Sequence, residues 1–216
     1  MIAQQVIDLA KNGELKNSSV KEDVNAILGY INLGMLELYK RFVLDTKELI
    51  ITMGVNGTSE DPYIKISDTI YEMPSDFLYL IGAYEEVPKN SIATIAPIQI
   101  NNENNLMGIN TISWNKVQIP FYVKDANISL IYVPSPKYFT TDDLDSRLPI
   151  PDQLIESLLA YIGYRAFASI SPNPQVDVSN QYYAKFEASC ETVRQFGIYT
   201  AEDMDMKNKF TARGFA

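Results

Sequence analysis

Apolar residues recur at helical spacing through the amino-terminal third of the chain. A short series is made up of Ile2, Val6, Leu9 and Ala10. A longer series keeps a helical period for five turns and contains Val24, Ile27, Leu28, Ile31, Met35, Leu38, Tyr39 and Phe42. We therefore predict two helices, of which the second is long and amphipathic. On its outer side Glu37 and Arg41 are four residues apart and can form an ion pair.

Two short motifs indicate where these helices end and begin. Gly13 follows the first series and favours a helix end. Ser19 and Glu22 have the spacing of a capping box, in which the serine oxygen accepts a hydrogen bond from an amide of the first helical turn. Asp23 adds negative charge to that first turn, where the helix dipole favours it. We therefore expect the second helix to begin just after Ser19.

The middle of the chain changes to short β-type runs separated by turn residues. The runs span residues 49–53, 63–66, 77–84, 118–123 and 128–133. The glycines of residues 54–57 predict a hairpin turn. Residues 88–110 include the run Asn-Asn-Glu-Asn-Asn and few periodic apolar positions, which predicts a long loop. Short strands with turns between them indicate a small antiparallel sheet, sandwich or barrel.

Helical periodicity returns after four prolines that bracket an acidic loop. Pro151 suits a first helical position, where its missing N–H costs nothing. A wide apolar face follows at Leu154, Ile155, Leu158, Leu159, Ile162 and Phe167. Another amphipathic helix begins around Tyr183, carries apolar residues as far as Val193 and ends at Gly197. The rest of the chain has no period and only isolated aromatic residues, which is typical of an extended tail.

These patterns predict an α+β fold, in which helices from both ends of the sequence form a bundle. We assign residues 1–45 to the amino-terminal helices and residues 136–197 to the carboxy-terminal helices. Residues 46–135 form an inserted antiparallel β-module that contains the long loop 88–110, and residues 198–216 form an extended arm. The terminal helices are expected to pack together because neither pair can bury its apolar face alone.

The composition of the chain excludes or disfavours several classes of function. The 216 residues include 18 Lys and Arg against 27 Asp and Glu, giving a net charge of −9. This charge disfavours a general nucleic-acid binder, although an acidic wall past which nucleic acid slides stays compatible with it. The absence of histidine excludes Ser-His-Asp and Cys-His catalysis and imidazole metal sites. The amino terminus lacks signal-peptide features, and no apolar run is long enough to cross a membrane, so we expect a soluble chain that is cytoplasmic at synthesis.

Candidate catalytic and metal-binding features are weak. Asp142, Asp143 and Asp145 offer carboxylate oxygens to a cation, but their spacing is not that of an EF-hand, and a solvated loop is favoured. Cys190 has no histidine to activate it and is interpreted as a small apolar residue on a helix. A pair of carboxylates can run a glycosidase, but no acid stands out for that role. We therefore predict no catalytic residue, no cofactor and no metal.

Two side chains have both a structural and a functional interpretation. Trp114 can anchor an interface or stack on a sugar, although a place on the rim of the β-module is favoured. Arg165 lies late in a very apolar helix and needs a partner. That partner is either an acid on another terminal helix, in a structural salt bridge, or a group on a neighbouring subunit.

Three segments in this order carry a family resemblance. Residues 31–38 (INLGMLEL) are similar to an LNxGxxEL helix, and residues 71–78 (YEMPSDFL) to a YxLPxDFL strand start. Residues 148–151 (LPIP) with the helix 154–166 are similar to a P…LxxYxxYRA pattern. Together they cover most of residues 24–196. The chain thus resembles the head-to-tail adaptor proteins of tailed bacteriophages, also called connector, head-completion or tail-tubular-A-type proteins.

The resemblance implies a structural, non-enzymatic virion protein of the head–tail neck. It implies a dodecameric ring that joins the capsid portal to the tail and lines the DNA channel, with tail ring or hub proteins as further partners and with no membrane. A carboxy-terminal arm would reach the portal through Met204, Met206, Phe210, Arg213 and Phe215. Arg165 and Trp114 are the candidate contacts between subunits of the ring.

Composition also suggests a source for this protein. The chain is rich in Asn, Ile and Lys but has only five arginines, which is typical of an AT-rich phage genome and fits a crAss-like phage. Two alternatives to the portal adaptor stay open. One is a more distal tail ring or completion protein, and the less favoured one is a carboxylate-based hydrolase carried by the tail.

Overall fold

Two helices, eight short strands and two further helices follow one another along the chain in the computed structural model, which describes residues 1–86, 96–101, 107–120, 127–168 and 174–197. The helices are α1 (Ala3–Asn12), α2 (Val24–Arg41), α3 (Ile155–Ala168) and α4 (Pro174–Gln195). The strands are β1 (Lys47–Thr52), β2 (Ile64–Lys65), β3 (Ile70–Glu72), β4 (Phe77–Glu86), β5 (Ala96–Pro97), β6 (Asn110–Ser113), β7 (Lys116–Gln118) and β8 (Asn127–Pro134). The predicted α+β class is confirmed.

The chain divides into two units. Met1–Leu44 and Pro136–Thr200 contribute to the first, which contains the four helices, and Asp45–Ser135 contributes the strands of the second. In the helical unit α3 contacts α1, α2 and α4. The predicted packing of the terminal helices against one another is therefore confirmed.

Helix α1 buries a different stripe from the predicted one. Its buried residues are Ala3, Val6, Ile7 and Ala10, whereas Leu9 is 44% exposed. The stripe follows the i, i+3, i+4, i+7 pattern, so Ile7 takes the place expected for Leu9. Gly13 ends the helix as predicted, and its N–H donates to Leu9 O at 2.8 Å.

Helix α2 begins later than the capping-box prediction. Its N-cap is Asp23, whose carboxylate accepts from Ala26 N at 3.0 Å. The residues before it form successive tight turns, with Lys21 N donating to Ser18 O and Asp23 N to Val20 O. These turns use the backbone groups that a helix starting at Ser19 would need. The acidic side chain is therefore the cap, and the serine is not.

Residues in and next to the first and third resemblance segments pack against each other and against the chain between them. The buried Asn32 amide donates to Phe139 O and accepts from Phe139 N, both at 2.8 Å. A β-carbon at Gly34 would lie 2.5 Å from Leu158 Cδ1, so this glycine allows α3 to approach α2 closely. Tyr39 Oη donates to Pro149 O at 3.0 Å. These contacts fix the segment before α3 against α2.

The last two helices also differ from prediction at their starts. Pro151 is not the first helical residue but the residue before a 3-10 turn, Asp152–Leu154, that leads into α3. Helix α4 begins at Pro174, well before Tyr183. Proline suits this position because the N–H groups of a first helical turn have no acceptor within the helix, so its missing N–H costs nothing. Its end near Gly197, which has φ of 83°, is confirmed.

An ion pair joins α2 to α4. Arg41 donates through Nη1 and Nη2 to Glu187 at 2.7 and 2.8 Å, and through Nε to Glu37 at 3.2 Å. Its guanidinium lies 4.6 Å from the centre of the Phe186 ring. The predicted Glu37–Arg41 pair is confirmed, but it faces α4 rather than the outer side. The hydrogen bonds from Arg41 hold the pKa of Glu187 below its usual range.

The strand unit consists of two four-stranded antiparallel sheets. Their strand orders are β1-β8-β4-β5 and β2-β3-β7-β6. One apolar cluster takes residues from both sheets, as a sandwich core does: Leu49, Ile51, Tyr63, Tyr71, Met73, Phe77, Leu80, Ala83, Ile98, Ile109, Val117, Ile119, Ile128, Leu130 and Tyr132.

The predicted hairpin turn at residues 54–57 is wrong. Strand β1 pairs with β8, and β2 pairs with β3, so the segment between β1 and β2 crosses from one sheet to the other. It folds back along the free edge of β1, where Ile50 N donates to the Asp61 carboxylate and Thr52 N to the Tyr63 hydroxyl. These side chains cover an edge that would otherwise be open.

Part of the predicted loop 88–110 is ordered structure. Strand β5 pairs with β4, Ile100 bridges to Ile109, and both Ile98 and Ile109 are buried in the core. The remainder of that loop lies outside the described residues. The strand expected at residues 118–123 is displaced, since β7 ends at Gln118 and residues 121–123 are also outside the described part.

The contact between α3 and α4 gives a first prediction. A β-carbon at Gly163 would lie 2.7–2.9 Å from three ring atoms of Tyr182, and that ring is stacked on Phe167. Gly163→Ala should lower the free energy of unfolding by about 1–3 kcal/mol. The matched variant Gly29→Ala, which meets nothing within 4 Å, should raise it by about 0.5–1 kcal/mol. Urea unfolding measures both, and a gain in both variants would contradict the close packing.

The Arg41–Glu187 pair gives a prediction about pH. Because the folded pKa of Glu187 is lowered, its stabilisation is present above the unfolded value of about 4.3 and is lost as pH falls through the folded pKa. Glu187→Gln should cost about 0.5–1.5 kcal/mol at neutral pH, a modest value because the Glu187 side chain is 42% exposed. The stability difference between wild type and variant should shrink in acid. A constant difference across urea unfolding curves from neutral to acidic pH would refute the assignment.

Candidate functional site

Trp114 projects from the turn between β6 and β7, and its side chain is 73% exposed. The next residue holds this turn in place. Asn115 is buried, its carbonyl accepts from Met73 N at 2.7 Å, and its Nδ2 donates to Glu72 Oε1 at 3.0 Å. An exposed indole on a fixed turn has the properties of a residue that anchors protein contacts.

A cleft of about 700 Å³ opens beside Trp114 in the strand unit. The second resemblance segment forms much of its wall, since all five residues of 72–76 line it. Its apolar lining is Leu49, Pro62, Ile64, Met73, Pro74 and Trp114. Its charged lining is Lys47, Glu48, Glu60, Glu72 and Asp76, which makes the cleft acidic.

Hydrogen bonds fix most of these acidic groups. Asp76 accepts from Lys47 Nζ at 2.5 Å and from Tyr132 Oη at 3.1 Å. Burial, assisted by the charge of Asp76, raises the pKa of Tyr132, so this hydroxyl stays a donor. Glu48 accepts from the Ser129 hydroxyl, and Glu72 accepts from Asn115 as described above.

Glu60 differs from the other acids of the cleft. It is exposed, and among the described residues its carboxylate has no hydrogen-bond or ion-pair partner. One lysine against four acids, with that lysine bonded to Asp76, leaves the lining with an excess of negative charge. The lining therefore combines an excess of negative charge with apolar surface, a combination that attracts positively charged and apolar groups.

The acidic loop predicted as a weak cation candidate is a capped turn. Asp143 accepts from Lys137 Nζ at 2.5 Å and from the backbone and hydroxyl of Thr140. These bonds lower the pKa of Asp143, the largest effect coming from Lys137. Asp142 and Asp145 are exposed. Within the described ranges no three His, Cys, Asp or Glu side chains are grouped as metal ligands.

Cys190 is buried on α4, which confirms its interpretation as a small apolar residue on a helix. Burial raises the pKa of its thiol.

No helix in the described part of the chain combines the length and apolarity needed to cross a membrane.

The structure describes Arg165 but not the predicted carboxy-terminal arm. Arg165 is partly exposed on α3, with its guanidinium 6.0 Å from the centre of the Tyr164 ring. Among the described residues no carboxylate forms an ion pair with it, so the predicted structural salt bridge is not seen there. The predicted arm residues Met204, Met206, Phe210, Arg213 and Phe215 lie outside the described part of the chain.

The cleft was not predicted from the sequence. Its lining comes from five separated stretches of chain, of which only residues 72–76, through the YEMPSDFL pattern, and Trp114 carried a local signal. The strong apolar–acidic character of the site arises when the fold brings these stretches together.

A family model described as SU10 adaptor protein matches residues 1–206, which span both units. A search of curated proteins finds no match to this chain.

The turn beside the cleft gives a third prediction. Trp114→Ala should change the free energy of unfolding by less than about 0.5 kcal/mol, because the side chain is mostly exposed. Asn115→Ala should lower it by about 1–2 kcal/mol, since it removes a buried amide that bonds to Glu72. Guanidinium unfolding of the two neighbouring variants tests this contrast. Equal losses would mean that Trp114 belongs to the folded core and is not free to bind.

Proposed function

The chain belongs to the SU10 adaptor protein family, a family of phage structural adaptors, and from that premise we propose that it forms the ring that joins the capsid portal to the tail. The observation that carries this proposal is the family match, because it extends over residues 1–206 and includes both the helices and the strands. In this proposal the protein is made in the host bacterial cytoplasm and becomes part of the neck of the virion. Its narrower assignment to a crAss-like phage stays a prediction.

A ring of identical subunits needs two different surfaces that fit each other. We propose a dodecamer in which Trp114 and Arg165 contribute to those surfaces. Trp114 supports this role through its exposure on a fixed turn. Arg165 supports it because it is partly exposed and no described carboxylate pairs with it, which leaves its guanidinium for a carboxylate of the next subunit.

Passage of DNA through the ring requires a wall that does not hold phosphate. The net charge of −9 favours such a wall, because a channel of the same sign as DNA repels it on all sides. The channel is therefore proposed as a conduit without base-specific contacts.

The contact with the portal is proposed for the carboxy-terminal arm, residues 198–216. Its five proposed contact residues combine two methionines, two phenylalanines and an arginine: Met204, Met206, Phe210, Arg213 and Phe215. Apolar anchors separated by small and polar residues are typical of a segment that orders when it binds.

Native mass analysis of the chain mixed with the portal ring of the same genome tests this proposal. We expect twelve copies to bind one portal ring, and a chain that lacks residues 198–216 to keep its urea unfolding curve but lose the portal. Trp114→Ala and Arg165→Ala should bind with fewer copies, because contacts between neighbouring subunits are weakened.

Three outcomes would count against parts of the proposal. Equal portal binding by the shortened chain would remove the arm from the interface. Full rings from both point variants would remove Trp114 and Arg165 from the subunit contact. Absence of portal binding by the intact chain, together with binding to an isolated tail protein, would place the ring further down the tail.

A further inference from the structure

The cleft beside Trp114 lies within the strand unit, and the fold holds its walls in place. Residues 72–76, which form one wall, run between Tyr71 and Phe77, and both of these side chains are buried in the core. Residues 59–62, which contribute to another wall, are held to the edge of β1 by a carboxylate that accepts a hydrogen bond from the backbone of that strand. A cleft whose walls are fixed in the free chain needs little rearrangement when it binds a ligand.

The charged groups of the cleft favour a cation. Its acidic lining residues are Glu48, Glu60, Glu72 and Asp76, and its basic lining residue is Lys47. Because Lys47 bonds to Asp76, no basic side chain of the described lining balances the other three carboxylates. Glu60 is exposed, so its carboxylate is accessible to an incoming group. The side chain of a lysine or arginine is therefore attracted to this lining.

Apolar side chains line the same cleft. Ile64 is 56% exposed and Trp114 is 73% exposed, and two prolines, Pro62 and Pro74, add further apolar surface. An aromatic or aliphatic side chain can pack on these groups while a neighbouring cation meets the carboxylates. The volume of about 700 Å³ is in the range of clefts that hold small ligands, so it accommodates a few side chains of an extended segment and not a folded domain.

We propose that the cleft binds an extended segment of another protein, in which a lysine or arginine lies next to an aromatic or aliphatic residue. The inference rests on the proposed function in one respect, namely that the chain joins the portal to the tail. Since the carboxy-terminal arm is the proposed portal contact, the cleft supplies the contact with a protein of the tail. An adaptor with these two contacts binds each of its neighbours through a different surface.

Electrostatics favour a different protein over a second copy of this chain as the occupant. The chain has a net charge of −9, so two copies repel each other overall. Much of its basic surface is also engaged by its own acids. Ion pairs within the chain involve Lys11, Lys40, Arg41, Lys47, Lys65, Lys137 and Lys185. A partner with an excess of basic residues meets neither obstacle.

Trp114 is the only tryptophan in the sequence, so its emission reports on binding at the cleft. The probe is the peptide Lys-Phe-Pro-Lys with both ends capped, and Glu-Phe-Pro-Glu is its charge-reversed control. We expect the basic peptide to change the emission of the intact chain along a saturating curve, and the acidic peptide to leave it unchanged. Lys-Ala-Pro-Lys should bind roughly threefold more weakly, because packing on the apolar lining is lost. High salt should weaken the binding of the basic peptide, because it screens the charges.

Two pairs of variants separate binding in the cleft from a general attraction to an acidic protein. Glu60→Lys should weaken binding of Lys-Phe-Pro-Lys roughly fivefold, because it replaces an attraction by a repulsion. Glu191→Lys, the same change of charge at an exposed site on α4, should leave the binding nearly unchanged. Ile64→Ser should weaken it roughly threefold, whereas Ile66→Ser should not, since Ile66 is 50% exposed but does not line the cleft. All four variants keep Trp114 as the reporter.

Binding to the virion proteins tests the source of the segment. Native mass analysis is made of the intact chain with the portal ring, and separately with each isolated tail protein of the same genome. We expect Glu60→Lys to lose a tail protein that the wild-type chain binds and to keep the portal. Glu191→Lys should keep both.

Four results would overturn the inference. Equal binding of the basic and acidic peptides, or equal binding of the basic peptide by the wild-type chain and Glu60→Lys, would mean that the cleft does not select a basic segment. Loss of the portal instead of a tail protein in Glu60→Lys would assign the cleft to the portal. Self-association of the wild-type chain that Glu60→Lys abolishes would assign it to a second copy. The peptide measurements use the free chain, so a wild-type chain that binds neither portal nor tail would contradict the proposed function and leave the peptide result standing.

Discussion

Burial of α3 is the constraint on which the helical unit depends. This helix contacts α1, α2 and α4, and eight of its 14 residues are buried. Close approach is possible because Gly34 faces Leu158 and Gly163 faces Tyr182. Since α1 and α2 precede the strands and α3 follows them, the chain must return to its starting helices. The paired hydrogen bonds between Asn32 and the backbone of Phe139 hold the returning segment in place.

In the strand unit one segment contributes both to the core and to the wall of the cleft. Tyr71 and Phe77 of the YEMPSDFL segment are buried in the core, whereas the five residues between them line the cleft. The same stretch is therefore both a structural support and a wall of the candidate site. Asn115 connects the support to the exposed Trp114, so that the indole is displayed by a turn that the core fixes.

An adaptor acts through surfaces, and the chemistry of the described residues agrees with that. The ion pair between Arg41 and Glu187 joins two helices, and three of the four carboxylates of the cleft, those of Glu48, Glu72 and Asp76, accept hydrogen bonds from neighbouring residues. What remains available in the described part of the chain is the exposed indole of Trp114, the carboxylate of Glu60, which has no partner there, and the excess of negative charge in the cleft. These features are compatible with the structural adaptor role that the family match supports.

The sequence by itself determined the elements that depend only on residues close together in the chain. The helical period of α2 and the apolar face of α3 were predictable because residues three or four apart share a helix face wherever the helix packs. Strands β4 and β8 were visible as long β-type runs. Only the tertiary structure decided that β1 pairs with β8 and not β2, that Ile98 and Ile109 enter the core, and that Glu60, Asp76 and Trp114 share one cleft. Pairing and clefts join residues distant in sequence, and local periodicity contains no information about which distant residues meet.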